Sequence, residues 1–160
     1  MQCPSVVVHT YSAACIDKIL ILKSPDGSAL VKSADIAGVS EDLLKNLFSA
    51  FDLPGSTGNG IYLWLVLCII VNFLENEYVM KAVMRSFSTM QEAVVPYLSH
   101  LLPPLTARLA QAAKNPTRPH YNHYLFESLS LSIRIVCKTN PAAVVNFEQV
   151  GRTFGSPKPP

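Results

Sequence analysis

The sequence predicts an all-α chain: a short α-solenoid of about two and a half HEAT-like helix pairs. Three observations point there. Apolar residues recur at spacings of three and four over several long stretches, with no alternating strand pattern of useful length. Turns marked by Pro or Gly join those stretches. Helix onsets at Val6, Glu75 and His120 approach the roughly 40–47-residue HEAT/armadillo period once Gly58–Leu74 is set aside. A plain helical bundle is the competing architecture.

The first predicted helix runs from Val6 to Leu22, with Val8, Tyr11, Cys15, Ile19 and Leu22 on its inward face. Ser24-Pro25-Asp26-Gly27 ends it with turn chemistry. The second helix is Ile36 to Phe51, with Ser40 as its cap and Glu41 and Asp42 as early acids. Leu43, Leu44, Leu47, Phe48 and Phe51 form its apolar stripe. Leu53 to Gly60 reads as a flexible turn.

Glu75 to Met90 resumes the helical period, with Val79, Val83, Phe87 and Met90 inward. Pro96 is placed to open the next helix at its first position, running toward Lys114 with Tyr97, Leu101, Leu105 and Leu109 inward. Pro103-Pro104 predicts a kink or break in it, because an interior proline costs about 3 kcal/mol or more. Residues 115–119 form a loop. His120 to Thr139 is the last strong helix, with Tyr124, Leu125, Leu129, Ile133, Val136 and Cys137 inward. Asn140-Pro141 caps and starts a further helix, and the closing ten residues, GRTFGSPKPP, cannot continue it.

Composition limits function. The 160 residues amount to one domain or a piece of one, and 49% hydrophobic content excludes wholesale disorder. Thirteen Lys and Arg against eleven Asp and Glu give a net charge of +2. That near-balance excludes a dominant polybasic nucleic-acid arm or acidic tail. Cys3, Cys15, Cys68 and Cys137 form no CxxC and lack zinc-finger spacing to a histidine pair. They are expected to act as small core hydrophobes in a reducing compartment. MQCPSVVV has no basic n-region or long apolar h-region, so no secretory signal is expected.

Four patterns could carry chemistry. His120 and His123 share a helix face with Glu127 one turn on, but a metal site needs further ligands, and none is near in sequence. An enzyme reading would rest on these three residues alone. Gly55, Gly58 and Gly60 lack the preceding strand and Lys-Ser/Thr of a phosphate loop. Cys15 has no located His partner for nucleophilic catalysis. Lys81, Arg85, Arg108, Lys114, Arg118, Arg134 and Lys138 read as a solvated face, or as a concave solenoid surface for an acidic partner. No catalytic, cofactor-binding or metal-binding residue is therefore nominated. Ile61–Leu74 is uncharged and apolar, but it is shorter than the ~20 residues a spanning helix needs and has no basic flanks.

Longer stretches carry a resemblance. ENEYVMKAVMRSFSTMQEAVVPY (Glu75–Tyr97), KNPTRPHYNHYLFESLSLSIRI (Lys114–Ile135) and CKTNPAAVVNFE (Cys137–Glu148) resemble the interior of importin-alpha re-exporters of the importin-beta superfamily. VVHTYSAACIDKIL and LLKNLFSAFDLPGS fit the segment just upstream. The resemblance implies a HEAT-repeat fold and the following organisation. Residues 1–57 are one HEAT-like helix pair, 58–74 an apolar insertion atypical of the family, 75–148 further pairs, and 149–160 a divergent, disordered tail. An apolar insertion between two matching blocks reads as translated intron or a gene-model error. Pro103-Pro104 falls where the family has ordinary helix residues.

The resemblance also implies function: a fragment of a nuclear export receptor, not an enzyme and without a cofactor. Its partners would be importin-alpha and the small GTPase Ran in its GTP form, with shuttling between nucleus and cytoplasm and no role for nucleic acid or membrane. No residue of this chain matches a defined Ran or cargo contact, so none is carried over. The alternatives are a non-functional truncated product, or a membrane-associated helical protein through residues 61–74.

Overall fold

The computed structural model describes residues 6–50, 76–114, 116–142 and 144. Helix α1 spans Val6–Leu20 and carries apolar residues on two opposite faces. Ala13, Asp17 and Leu20 are buried, with Ile16 packed beside them. Val8, Tyr11, Cys15 and Ile19, the face expected to point inward, are exposed, and Tyr11 retains 70% of its surface. The period is as predicted and the polarity is reversed. Small Ala13 lets a neighbouring backbone approach closely, and Asp17 finds cations on that side.

Leu22 lies beyond the helix, in a turn closed by the Leu30 N–H donating to its carbonyl at 2.9 Å. Gly27, at φ +83°, supplies the left-handed step, and its N–H donates to the Ser24 carbonyl at 2.8 Å.

The predicted helix from Ile36 to Phe51 is three pieces. A short α2 (Ser33–Ile36) passes through a 3-10 turn (Ala37–Val39) into α3 (Ser40–Ser49). Ser40 does not cap α3. It is the first helical residue, and its hydroxyl donates to the Ile36 carbonyl at 2.8 Å. Leu44 and Leu47 are buried, with Leu43 and Phe48 half-buried beside them. Phe51 lies outside the described residues, as do Leu53–Gly60 and Ile61–Leu74.

Helix α4 (Glu77–Met90) starts at Asn76, whose side-chain oxygen accepts the N–H groups of Tyr78 and Val79. The same side chain donates to the Thr10 hydroxyl of α1 at 2.6 Å. Val79, Val83, Phe87 and Met90 are buried as expected, and Met80, Ala82, Met84 and Ser86 join them. α4 is the central helix, flanked by α1 on one side and α6 on the other.

After α4 the chain turns at Gln91 (φ +49°, ψ −120°) into a 3-10 segment, Gln91–Tyr97. Pro96 sits inside that segment, and α5 (Leu98–Lys114) begins two residues later than predicted. The expected break at Pro103-Pro104 does not occur, for α5 stays helical across both. The carbonyls denied their usual donors belong to Ser99 and His100, both exposed, where water can hydrate them. Leu98, Leu101 and Leu105 meanwhile anchor the helix in the core.

Helix α6 (Pro119–Thr139) opens with proline in its first turn. Tyr121, Leu125, Ser128, Leu131, Ser132 and Ile135 are buried. Ile133, expected inward, is 41% exposed because Ser128 and Ser132 occupy the contact face. Of the predicted helix after Pro141, only Ala142 and Val144 are among the described residues, and the Ala142 N–H donates to the Asn140 side-chain oxygen at 3.2 Å.

The described residues thus form an all-α stack without strands. α1, α4 and α6 lie side by side in one layer, while α3 and α5 lie together on one side of it. None of the described helices is long and apolar enough to cross a membrane.

Candidate functional site

Side-chain size decides where the stack is closed. Within the α1–α4–α6 layer, buried Ala13, Ala82, Ser86, Ser128 and Ser132 allow close helix approach. Ser86, Ser128 and Ser132 donate their hydroxyls to carbonyls one turn back, at 2.8 Å each, so burial leaves them satisfied. Phe48 and Lys45 of α3 face Arg108 of α5 and Tyr97, the last residue of the 3-10 segment before it, instead. No comparable packing joins these two helices.

The result is a groove of about 520 Å³ between α3 and α5. Leu44, Phe48, Leu101 and Pro104 supply apolar lining, and Leu44 and Leu101 are buried. Glu41, Lys45 and His100 are exposed along it, with Ser49, Tyr97 and Arg108 half-buried. Such an arrangement can bind through an apolar contact and orient what it binds by charge. The Ser49 hydroxyl in it donates to the Asn46 carbonyl of its own helix at 2.9 Å.

A second polar feature lies at the α1–α4 joint. The buried Asp17 carboxylate meets the Lys81 ammonium at 3.2 Å and the Arg85 Nε at 3.2 Å. The Lys81 ammonium also lies 5.7 Å from the centre of the Tyr124 ring of α6. One cation therefore contacts all three helices of the layer. Asp17 was not singled out in the sequence. The available signal was the single acid of α1, opposite two cations spaced four apart.

This reassigns part of the basic set. Lys81 and Arg85 serve Asp17, and Lys138 pairs with Glu92 at 2.7 Å on the surface. Arg134 lines a furrow of about 300 Å³ between α4 and α6, together with Arg85 and Glu127. Arg108 belongs to the α3–α5 groove. The seven residues do not form one continuous basic face.

At the start of α6, His123 and Glu127 come together at 3.3 Å on an exposed face, and the His123 ring packs edge-on against Tyr124. His120 is exposed nearby. Among the described residues no group of three His, Cys, Asp or Glu is placed to hold a metal ion. Cys15 is exposed rather than part of the core, and Cys137 is half-buried; both are free thiols. Cys3, Cys68, Gly55, Gly58 and Gly60 lie outside the described residues.

Comparison with known proteins gives the lineage. The family model described as CAS/CSE protein, C-terminus, matches residues 17–151. Exportin-2 of Bos taurus is 48% identical over 149 residues, covering 93% of this chain and 14% of the relative. Exportin-2 of Homo sapiens matches to the same extent. Exportin-2 of Danio rerio is 44% identical over 149 residues, with the same coverage of both chains. The chain thus spans 14% of the length of these relatives. No solved structure matches it. With the family match running from within α1 to beyond α6, the chain belongs to the CAS/CSE protein family.

Proposed function

We propose that this chain is an interior portion of a nuclear export receptor. The receptor returns importin-alpha to the cytoplasm in a complex with Ran in its GTP form and shuttles between nucleus and cytoplasm. The observation that carries this reading is the 48% identity to exportin-2 over 149 residues. The structure is compatible with a receptor, since its helix layers offer grooves and charged edges for binding. In such a receptor the two ligands are thermodynamically linked: each raises the affinity for the other by the same factor. The role of residues 58–74 belongs to the same proposal, as an insertion that the transport function does not require.

The test is a chimera. The matching stretch of human exportin-2 is replaced by this chain, with and without residues 58–74. Binding of importin-alpha is measured with and without Ran loaded with a non-hydrolysable GTP analogue. The expected result is that the chimera lacking 58–74 binds importin-alpha strongly only when loaded Ran is present. A folded chimera that binds neither ligand would overturn the reading.

A further inference from the structure

We propose that the α3–α5 groove is a docking site for an acidic amphipathic helix of a partner protein, entered by the first turn of that helix. The proposal concerns this groove alone, and its test needs neither importin-alpha nor Ran.

The volume comes first. About 520 Å³ falls within the range of sites that bury a ligand of several side chains, and well short of a whole helix. The occupant therefore inserts side chains and leaves its backbone at the rim. The apolar lining, Leu44, Phe48 and Leu101, calls for an aliphatic or aromatic anchor.

Charge selects the anchor's neighbours. Lys45 and Arg108 are cations, and Glu41 is the one acid among the lining residues. A carboxylate beside the anchor complements that lining, and a cation does not.

Covalent structure adds a third requirement. The His100 carbonyl would ordinarily accept an N–H from the residue three or four positions later. Those residues are Pro103 and Pro104, and neither has an N–H to give. The acceptor therefore lacks both regular helical donors, next to a proline that itself lines the groove. The first turn of a helix brings what this combination needs: unpaired backbone N–H groups together with favoured acidic residues.

The probes are two fluorescein-labelled helical peptides with leucines at i, i+3, i+4 and i+7. One carries Asp and Glu in its first turn, and the other carries Lys at those places. Fluorescence anisotropy is read against the full 160-residue chain. The acidic peptide is expected to bind at least about tenfold more tightly than its lysine counterpart, and to weaken as salt is raised. The double variant Lys45→Glu/His100→Glu should reduce its affinity about tenfold, because both residues are exposed and the charge reversal leaves the core intact. Ser49→Trp, which fills the groove, should abolish binding. Circular dichroism confirms that each variant is folded. Equal affinity for the two peptides would overturn the proposal. So would no binding of either up to about 1 mM, or an unchanged affinity in the charge-reversed chain.

Discussion

Asp17 of α1 and Lys81 of α4 lie 3.2 Å apart, and their exposure is unequal: the carboxylate side chain retains 4% of its surface and the lysine 28%. Arg85 shares the same carboxylate from the following turn. When only the acid is removed, both cations can turn toward water. When both cations are removed, the acid is stranded. Asp17→Asn should therefore cost about 1–3 kcal/mol, and Lys81→Met alone a similar amount or less. Lys81→Met/Arg85→Met should cost about 3–5 kcal/mol, more than the sum of the two single changes. Urea unfolding with an unchanged slope checks the order. Additive single effects would mean that the two cations act independently.

Gln91 occupies a backbone region that L-residues rarely adopt, at φ +49° and ψ −120°. Strain there is of order 1–3 kcal/mol, while glycine brings an entropic cost of about 0.5–1 kcal/mol. Gln91→Gly should raise stability by about 1 kcal/mol and the melting temperature by about 2–4 °C. Gln91→Val should lower both. Differential scanning calorimetry distinguishes the two signs.

Pro103 is exposed and lies in the second turn of α5. Pro103→Ala restores an N–H to the Ser99 carbonyl and removes a ring clash. The gain, less the added freedom of the unfolded chain, should be about 1–2 kcal/mol. A fall in melting temperature would show that the proline shapes α5 in some other way.

Ser128 is fully buried against α4, its hydroxyl bonded to the Tyr124 carbonyl of its own helix. Ser128→Ala removes donor and need together and should change stability by less than about 1 kcal/mol. Ser128→Leu forces α4 and α6 apart and should cost about 1–3 kcal/mol or more. Equal effects would mean that small size is not what the position requires.

Asp26 holds the Ser24–Ser28 turn. Its carboxylate accepts the Ser28 hydroxyl at 2.8 Å and the Ser28 N–H at 3.0 Å. These bonds, the hydroxyl's first, keep its pKa below the usual 3.8. A lowered folded-state value means that the stabilisation is complete above the usual value and is lost as pH falls through the lowered one. NMR titration should place Asp26 below 3.8, and Ser28→Ala should move it back upward. Titration at or above 3.8 in the unmodified chain would mean that the two Ser28 bonds do not hold the carboxylate in solution.

The helices were legible where apolar residues fall on one face. Val79, Val83, Phe87 and Met90 gave both the period and the orientation of α4. Periodicity failed in α1, which is apolar on two sides, because a period does not say which side meets a neighbour. It failed in part of α6 because Ser128 and Ser132 are buried for their small size, which hydrophobicity does not register. Proline was overweighted: at Pro103-Pro104 the lost bonds face solvent, and the buried leucines on either side hold the helix. The groove was not legible at all. It depends on residues far apart in sequence, Phe48 of α3 and Tyr97 just before α5, lining one space. Asp17 was missed for a related reason, since its partners lie more than sixty residues away.

The central place of α4 has a consequence for the order in which the fold comes apart. Its buried residues reach around most of its circumference, from Val79 through Met84 to Met90, and α1 and α6 cover it on either flank. Its amide protons can meet solvent only when the whole layer opens, so among the described residues they should be the slowest to exchange for deuterium. Those of α3, which borders the groove, can exchange through a smaller opening that leaves α4 covered. The groove edge at α3 should thus breathe before α4 lets go.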